Sequence, residues 1–421
     1  MGYVGLPLSV TIARAGFSVM GFDVDREKVE RLNRGQSYVG AVSNAALTDA
    51  RRTDRFVATD NLDDLHVCDV IIICVPTPLT KYREPDLSFV EQTCASIART
   101  LRSGQLIILE STTYPGTTDQ IVKARLETTG LKSRKDFFLG FSPEREDPGN
   151  AKFDTSSIPK IVAGDGADAA ALVETFYAAV VKTVVTVSSN ATAEAVKLTE
   201  NIFRSVNIAL VNELKVLYDA MGIDIWEVIA AAKTKPFGYM AFYPGPGLGG
   251  HCIPIDPFYL TWKSREYELP TRFIELAGEI NSAMPHYVLS RLVEALDARL
   301  GKSLSRSRIL IVGLAYKKNV ADIRESPSLK LLQMIESRNG RADYSDPYVP
   351  EIPRTREYQQ LKGRQSISIN PSTLLNFDAV LISADHDGID YSMIARIAPL
   401  IIDTRNVFAN LNITSANIIK A

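Results

Sequence analysis

Along the first third of the chain, short apolar runs alternate with stretches of helical spacing. The runs at 17–22, 70–75, 106–109, 137–141, 160–162 and 183–187 predict strands, and the spacing over 88–101 predicts a helix. Strands alternating with helices predict a parallel, doubly wound sheet. From about Ala191 the rhythm changes. Val196, Phe203, Val206, Leu210, Leu214 and Leu217 recur at steps of three, four or seven, the mark of one long amphipathic helix. A second helical block runs from about 256 to 300, interrupted by Pro270 and Pro285. This central stretch carries no strand signal, so it either joins two domains or pairs with a copy of itself. Alternation then resumes, with strands at 309–312, 342–344, 379–382 and 400–402 and a helix at 328–336. The predicted class is α/β, with a helical middle between two sheet-bearing ends.

At roughly 150 residues per domain, 421 residues predict about three units. Lys+Arg number 47 against Asp+Glu 49, and a net charge of −2 gives no electrostatic reason to expect a nucleic-acid partner. No run approaches the ~18 apolar residues of a membrane span, and MGYVGLPLSV does not read as a signal peptide. Cys68, Cys74, Cys94 and Cys252 are too sparse for a disulfide scaffold, which predicts a reduced, cytoplasmic setting. The first three are expected to be core thiols.

Gly2-x-x-Gly5 matches the second half of G-x-G-x-x-G, the turn that brings a pyrophosphate to a helix N-terminus. Eighteen residues after Gly5, the 17–22 strand gives way to Asp23, placed to bind an adenosine ribose and to favour NAD over NADP, with Lys28 five residues further on. The first glycine and the strand before it are absent, which predicts a segment upstream of this sequence.

In the 245–257 stretch, GPGLGGHCIPIDP, four glycines in six residues allow close backbone approach to a ligand. Cys252 follows, just before a helix with Asp256 as expected cap and Pro257 at its first position. A thiol near a helix N-terminus tends to a lowered pKa and so to a nucleophilic thiolate. His251 is a weaker candidate, because adjacent loop side chains point apart, and no second His or Cys offers metal spacing. On the long helix Glu194, Lys197, Asn201 and Arg204 share a face, fit either for solvent or for a sugar. Lys317 and Arg324, after the 309–312 strand, could grip phosphates.

Together these pieces resemble the UDP-glucose/GDP-mannose dehydrogenase family along almost the whole chain. The matching motifs are GYVGLP at 2–7, CVPTP at 74–78, ESTTYPGTT at 110–118, SPER at 142–145 with PG at 148–149, the helix with Glu194 and Asn201, GLGGHCIPID at 247–256 and GLAYKKNVADIRESP at 313–327. Their form is similar to the branch acting on UDP-N-acetylhexosamines, UDP-N-acetylglucosamine foremost, for bacterial surface polysaccharides. The resemblance implies two Rossmann-like domains, NAD-binding over 1–190 and UDP-binding over 301–421, joined by a helical dimerisation domain over 191–300. It implies oxidation of the sugar C6 alcohol to a carboxylate in two NAD-dependent steps.

By the same resemblance, Cys252 is the nucleophile that traps the aldehyde as a thiohemiacetal, later a thioester. Lys197 and Asn201 stabilise oxyanion character, Asp256 aids water or proton movement, and Glu144 is the acid near the reacting carbon. The cofactor residues are Gly2, Val4, Gly5, Asp23, Lys28, Thr77, Thr112 and Arg324; the substrate residues are Arg145, Tyr243, Gly249 and Lys317, with Lys197 and Asn201. The arginine that many glucose-type members lend across subunits has no clean counterpart, Lys235 being nearest. Expected partners are a UDP-sugar and a second copy of the chain, with no metal, nucleic acid or membrane. UDP-glucose, UDP-N-acetylgalactosamine and UDP-N-acetylmannosamine remain alternative substrates. A catalytically weak UDP-sugar-binding protein is the alternative of another class.

Overall fold

The computed structural model describes residues 1–80, 82–145, 156–250 and 253–421. They form two compact units, one of 1–201 with 255–270 and the other of 202–254 with 271–421.

In the first unit β1 (Val19–Phe22) and β2 (Phe56–Thr59) form a parallel pair. A separate sheet has the order β3 (Val70–Ile73), β4 (Leu106–Leu109), β5 (Phe138–Phe141), β6 (Lys160–Gly164), β7 (Val184–Thr186). Every residue of β4 is buried, as expected of a strand covered on both faces. Leu8, Ile12, Leu106, Ile108, Val162, Val173 and Tyr177 make the core between this sheet and its helices. The helix Ala167–Ala178 lies so close to the sheet that only glycine fits beneath it. A Cβ on Gly164 would sit 2.1 Å from the Ala170 nitrogen, and one on Gly140 would sit 2.5 Å from Val173 Cγ2.

One pairing departs from the all-parallel expectation: β6 runs antiparallel to β5, Phe141 opposite Ala163 and Gly140 opposite Gly164. A run buried on both faces has the same apolar pattern in either direction, so the sequence carries no mark of it. β2, with only two of its four residues buried, escaped the hydrophobic pattern altogether.

In the second unit β8 (Arg308–Val312), β9 (Arg341–Ser345), β10 (Ala379–Ile382), β11 (Ile401–Asp403) and β12 (Ile418–Lys420) form an all-parallel sheet of order β12-β11-β10-β8-β9. Leu292, Leu296, Ile309, Ile311, Leu332, Tyr344 and Leu381 pack one face, and Leu310, Val312, Phe377, Val380 and Ile401 the other. β12 lies at the edge of the sheet with all three residues only half-buried, so no buried run marks it.

Between β7 and β8 the described residues hold no strand. The long helix spans Asn190–Ala220. Of the expected second helical block, Asp256–Ser264 belongs to the first unit and Arg272–Leu300 to the second. Pro270 separates them, but Pro285 does not interrupt: Arg272–Leu300 is one helix with Pro285 buried inside. An internal proline costs about 3 kcal/mol. Burying Ile274, Ala277, Met284, Val288, Leu289 and Leu292 on that helix offsets it. No helix among the described residues is long and apolar enough to cross a membrane.

Candidate active site

The long helix buries Glu194, Lys197 and Asn201 on one face, while Arg204, in the second unit, is exposed and leaves the predicted stripe. Asn201 Nδ2 donates to Asp256 Oδ2 at 2.6 Å. Asp256 is the first residue of its helix and only 2% exposed. It was expected as the cap, but its side chain makes no capping bond and turns instead to Asn201. Burial pushes its carboxyl up to about 7, against the pull of the Lys197 charge and the Asn201 hydrogen bond. Lys197 makes no salt bridge within 4 Å among the described residues, although it is buried. A buried ammonium without a paired carboxylate is costly unless an incoming anion completes it.

Glu194 anchors a neighbouring loop. Its carboxylate accepts from the Gly116 N–H at 2.6 Å, the Thr118 N–H at 2.9 Å and Thr118 Oγ1 at 2.7 Å. Burial raises it to about 7 against these three donors. Earlier in the same loop, Thr112 is half-buried, and the buried Thr113 Oγ1 has no hydrogen-bond partner among the described residues.

Glu144 Oε1 accepts from the Arg145 N–H at 2.6 Å, and Lys160 Nζ lies 3.3 Å from its Oε2. Arg145, expected on substrate, binds Glu200 of the long helix at 2.5 and 3.2 Å and the Pro159 carbonyl at 2.6 Å. Those bonds tie the SPER segment to the helix bearing Lys197.

The predicted cofactor residues of the first unit fit a dinucleotide. The helix Gly5–Arg14 begins at Val4 without any side-chain cap, which leaves first-turn amides for a phosphate. A Cβ on Gly2 would meet nothing within 4 Å. Asp23 follows β1; its Oδ1 accepts from the Asp25 N–H at 3.0 Å, and its Oδ2 lies 2.7 Å from the Met1 amino group and 3.9 Å from Lys28. Burial opposes its charge, but these donors outweigh it and hold the carboxyl below its ordinary value. It stays an acceptor, as a ribose hydroxyl requires. Thr77 is buried, its carbonyl taking the Tyr259 hydroxyl at 2.7 Å, and the orphaned Thr113 hydroxyl offers one more polar contact.

In the second unit Gly249 is wedged against the segment that follows β8, where a Cβ would lie 2.4 Å from Tyr316 Cβ. The next glycine, Gly250, donates its N–H to the Arg324 carbonyl at 2.9 Å. The Arg324 guanidinium binds Asp322 at 2.6 Å, and Lys317 is half-buried on the same segment. Tyr243 stacks on Trp226 with centroids 5.8 Å apart, and Lys235 lies over the Phe237 ring. Cys252 and His251 lie outside the described residues.

Two features escaped the sequence reading. Asp346 Oδ2 accepts from the Leu314 and Ala315 N–H groups at 2.7 and 2.9 Å and lies 3.0 Å from His386 Nε2, while His386 Nδ1 accepts from the Asn319 N–H at 2.9 Å. That fully buried pair sets the loop carrying Lys317. Arg405 packs on Gly245, where a Cβ would lie 2.7 Å from its Nη1. Its Nε donates to the Ser383 carbonyl at 2.8 Å, and burial pulls its pKa down. Both sets join residues tens of positions apart, which no local spacing reveals.

Three descriptions of the UDP-glucose/GDP-mannose dehydrogenase family match in order: the NAD binding domain over 1–181, the central domain over 191–283 and the UDP binding domain over 310–410. A UDP-N-acetyl-D-glucosamine 6-dehydrogenase of Pseudomonas aeruginosa is 37% identical over 360 residues, 85% of this chain and 84% of its own. A UDP-N-acetyl-D-mannosamine dehydrogenase of Pyrococcus horikoshii is 34% identical over 413 residues, 97% and 94% of the two chains. A solved structure of the UDP-D-ManNAc dehydrogenase from Pyrococcus horikoshii superposes with a TM-score of 0.88 at 32% identity, covering 100% of this chain and 96% of that one.

Proposed function

Because the chain belongs to the UDP-glucose/GDP-mannose dehydrogenase family, we propose that it oxidises the C6 alcohol of a UDP-N-acetylhexosamine, UDP-N-acetylglucosamine foremost, to the uronic acid. The observation that carries the chemistry is the buried Lys197–Asn201–Asp256 group, with Asp256 four residues beyond Cys252. The GlcNAc preference rests on the form of the SPER and GGHCIPID segments and on the 37% identical relative. UDP-N-acetylmannosamine is the second reading, favoured by the relative and structure from Pyrococcus horikoshii.

NAD, when bound, accepts a hydride from C6 at each of the two oxidations. This chain's residues handle the protons and the carbon skeleton. Glu144 acts at the alcohol. The Cys252 thiolate adds to the aldehyde carbon, so that the intermediate is not lost between oxidations, and the resulting oxyanion sits by the Lys197 ammonium and the Asn201 amide. Preorganised charge of this kind is worth several kcal/mol at a developing oxyanion. Oxidation of the adduct leaves a thioester. Asp256, raised to about 7 by burial, takes a proton from the water that hydrolyses it and so frees Cys252. In the second unit Lys317 and Arg405 face the diphosphate.

The active species is a homodimer working in the cytoplasm, where NAD and UDP-sugars are made. Phe203, Leu210 and Leu217 are exposed on the long helix at steps of seven, a stripe that a second copy would cover. NADH formation across a panel of UDP-sugars tests the substrate. A higher kcat/KM with UDP-N-acetylmannosamine selects the second reading, and binding without turnover of any sugar selects the binding-protein alternative. Uronate formed by Cys252→Ala overturns the thioester route.

A further inference from the structure

The antiparallel pairing of β5 and β6 has a chemical result. Continuing its register beyond Phe141 and Ala163 brings Lys160 across from Glu144, at the carboxyl ends of β4 and β5 where open α/β sheets bind ligands. A parallel β6 would have put this lysine at the other end of the sheet. Lys160 Nζ lies 3.0 Å from Glu110 Oε1 and 3.3 Å from Glu144 Oε2. Glu110 directly follows β4, is buried, accepts the Tyr177 hydroxyl on Oε1, and has no partner for Oε2 among the described residues. The groups facing Lys160 are therefore Glu110 after β4, Glu144 after β5, Tyr177 from the helix Ala167–Ala178 and Cys74 after β3.

We propose that Lys160 is a positioning residue that bridges Glu144 to the buried Glu110 and fixes where the Glu144 carboxylate meets the sugar, an inference that rests on Glu144 acting at the alcohol. A buried carboxylate and a half-buried one that share a lysine repel unless its cation lies between them. Burial works against the ammonium, but the two carboxylates outweigh it and raise its pKa. Burial likewise raises Glu110, against the pull of Lys160. Glu144 is thus the outer, sugar-facing end of a chain of charges whose inner end is closed.

The test uses the full chain with NAD and UDP-N-acetylglucosamine. The pair Lys160→Met with Glu110→Gln removes both charges of the inner bridge, a change folds tolerate far better than removal of one partner. It is expected to lower kcat about tenfold or more with little change in KM, and to move upward the acidic limb of the pH profile of the first hydride transfer, read as single-turnover NADH formation, a step in which Asp256 takes no part. Glu110→Gln alone leaves the Lys160 charge undivided and is expected to move that limb downward, while Lys160→Arg keeps it near its original place. In a Glu144→Gln background the Lys160 and Glu110 changes should lower kcat no further. Unmoved pH limbs, or a full kcat loss repeated in that background, overturn the proposal while leaving Glu144 in its role. Undiminished turnover by Glu144→Gln alone overturns the role of Glu144 and the proposal with it.

Discussion

Asp256, the proposed base, takes its protonation state from burial. It stands at a helix start, where its carboxylate could cap backbone amides, yet it turns to Asn201, and burial brings it to about 7. Asp256→Asn keeps the shape and removes the base. Its kcat should fall about 10²- to 10³-fold with KM little changed, measured as steady-state NADH formation. In the wild type kcat should rise with pH through about 7, and that rise should vanish in the variant. A variant that keeps both rate and profile would assign the base elsewhere. Of this group, the shared face of Lys197 and Asn201 was legible from their spacing of four on a helix, with solvent or a sugar both open as its use, while Asp256 read as a helix cap and drew its proton role only from the family resemblance. The Asn201–Asp256 bond was not legible, because 55 residues separate its partners.

At the scale of elements, the contact between the helix Ala167–Ala178 and its sheet is set by glycine. Gly164→Ala would push a methyl to 2.1 Å from a backbone nitrogen, which no rotamer change can relieve. Overpacking of this kind costs about 1–3 kcal/mol or more, and urea unfolding of the full chain should show it as a lower midpoint. An unchanged midpoint would mean that the helix slides without loss. Most strands were legible because buried runs such as Leu106–Leu109 and Ala379–Ile382 admit little else. The exceptions have separate physical causes. β2 is half-exposed, β12 is a half-buried edge strand, and the direction of β6 leaves no trace in hydrophobicity. The unbroken helix through Pro285 is a fourth case, in which tertiary burial overrides a local breaker.

At the scale of the whole molecule, two quantities can be measured on the intact protein. Leu210→Glu places a charge in the middle of the exposed stripe Phe203, Leu210, Leu217. Sedimentation should show a dimer for the wild type and a weakened one for the variant; identical species would remove this stripe from the interface. The second quantity is stability against pH. Glu194 and Asp256 hold protons more tightly in the folded chain than in the unfolded one, each near 7 against ordinary values of 4.5 and 3.8. Raising the pH from about 4 to 7 therefore withdraws stability from the folded state, on the order of 1–3 kcal/mol for each group. The double variant Glu194→Gln with Asp256→Asn should show a flatter fall in Tm between pH 5 and 7.5, wherever its absolute Tm lies. An equal slope would locate the linkage in other groups.

The three described thiols have a practical consequence for counting working molecules. Burial raises Cys74 well above its ordinary value, lifts Cys94 to about 12, and also raises Cys68. At neutral pH all three stay protonated and poor nucleophiles. Iodoacetamide should then alkylate a single site per chain, Cys252, and bound UDP-sugar should slow that reaction. Intact-mass spectrometry would turn the alkylated fraction into a titre of competent protein in any preparation, with no turnover assay. More than one fast adduct per chain would show that burial does not silence the other thiols.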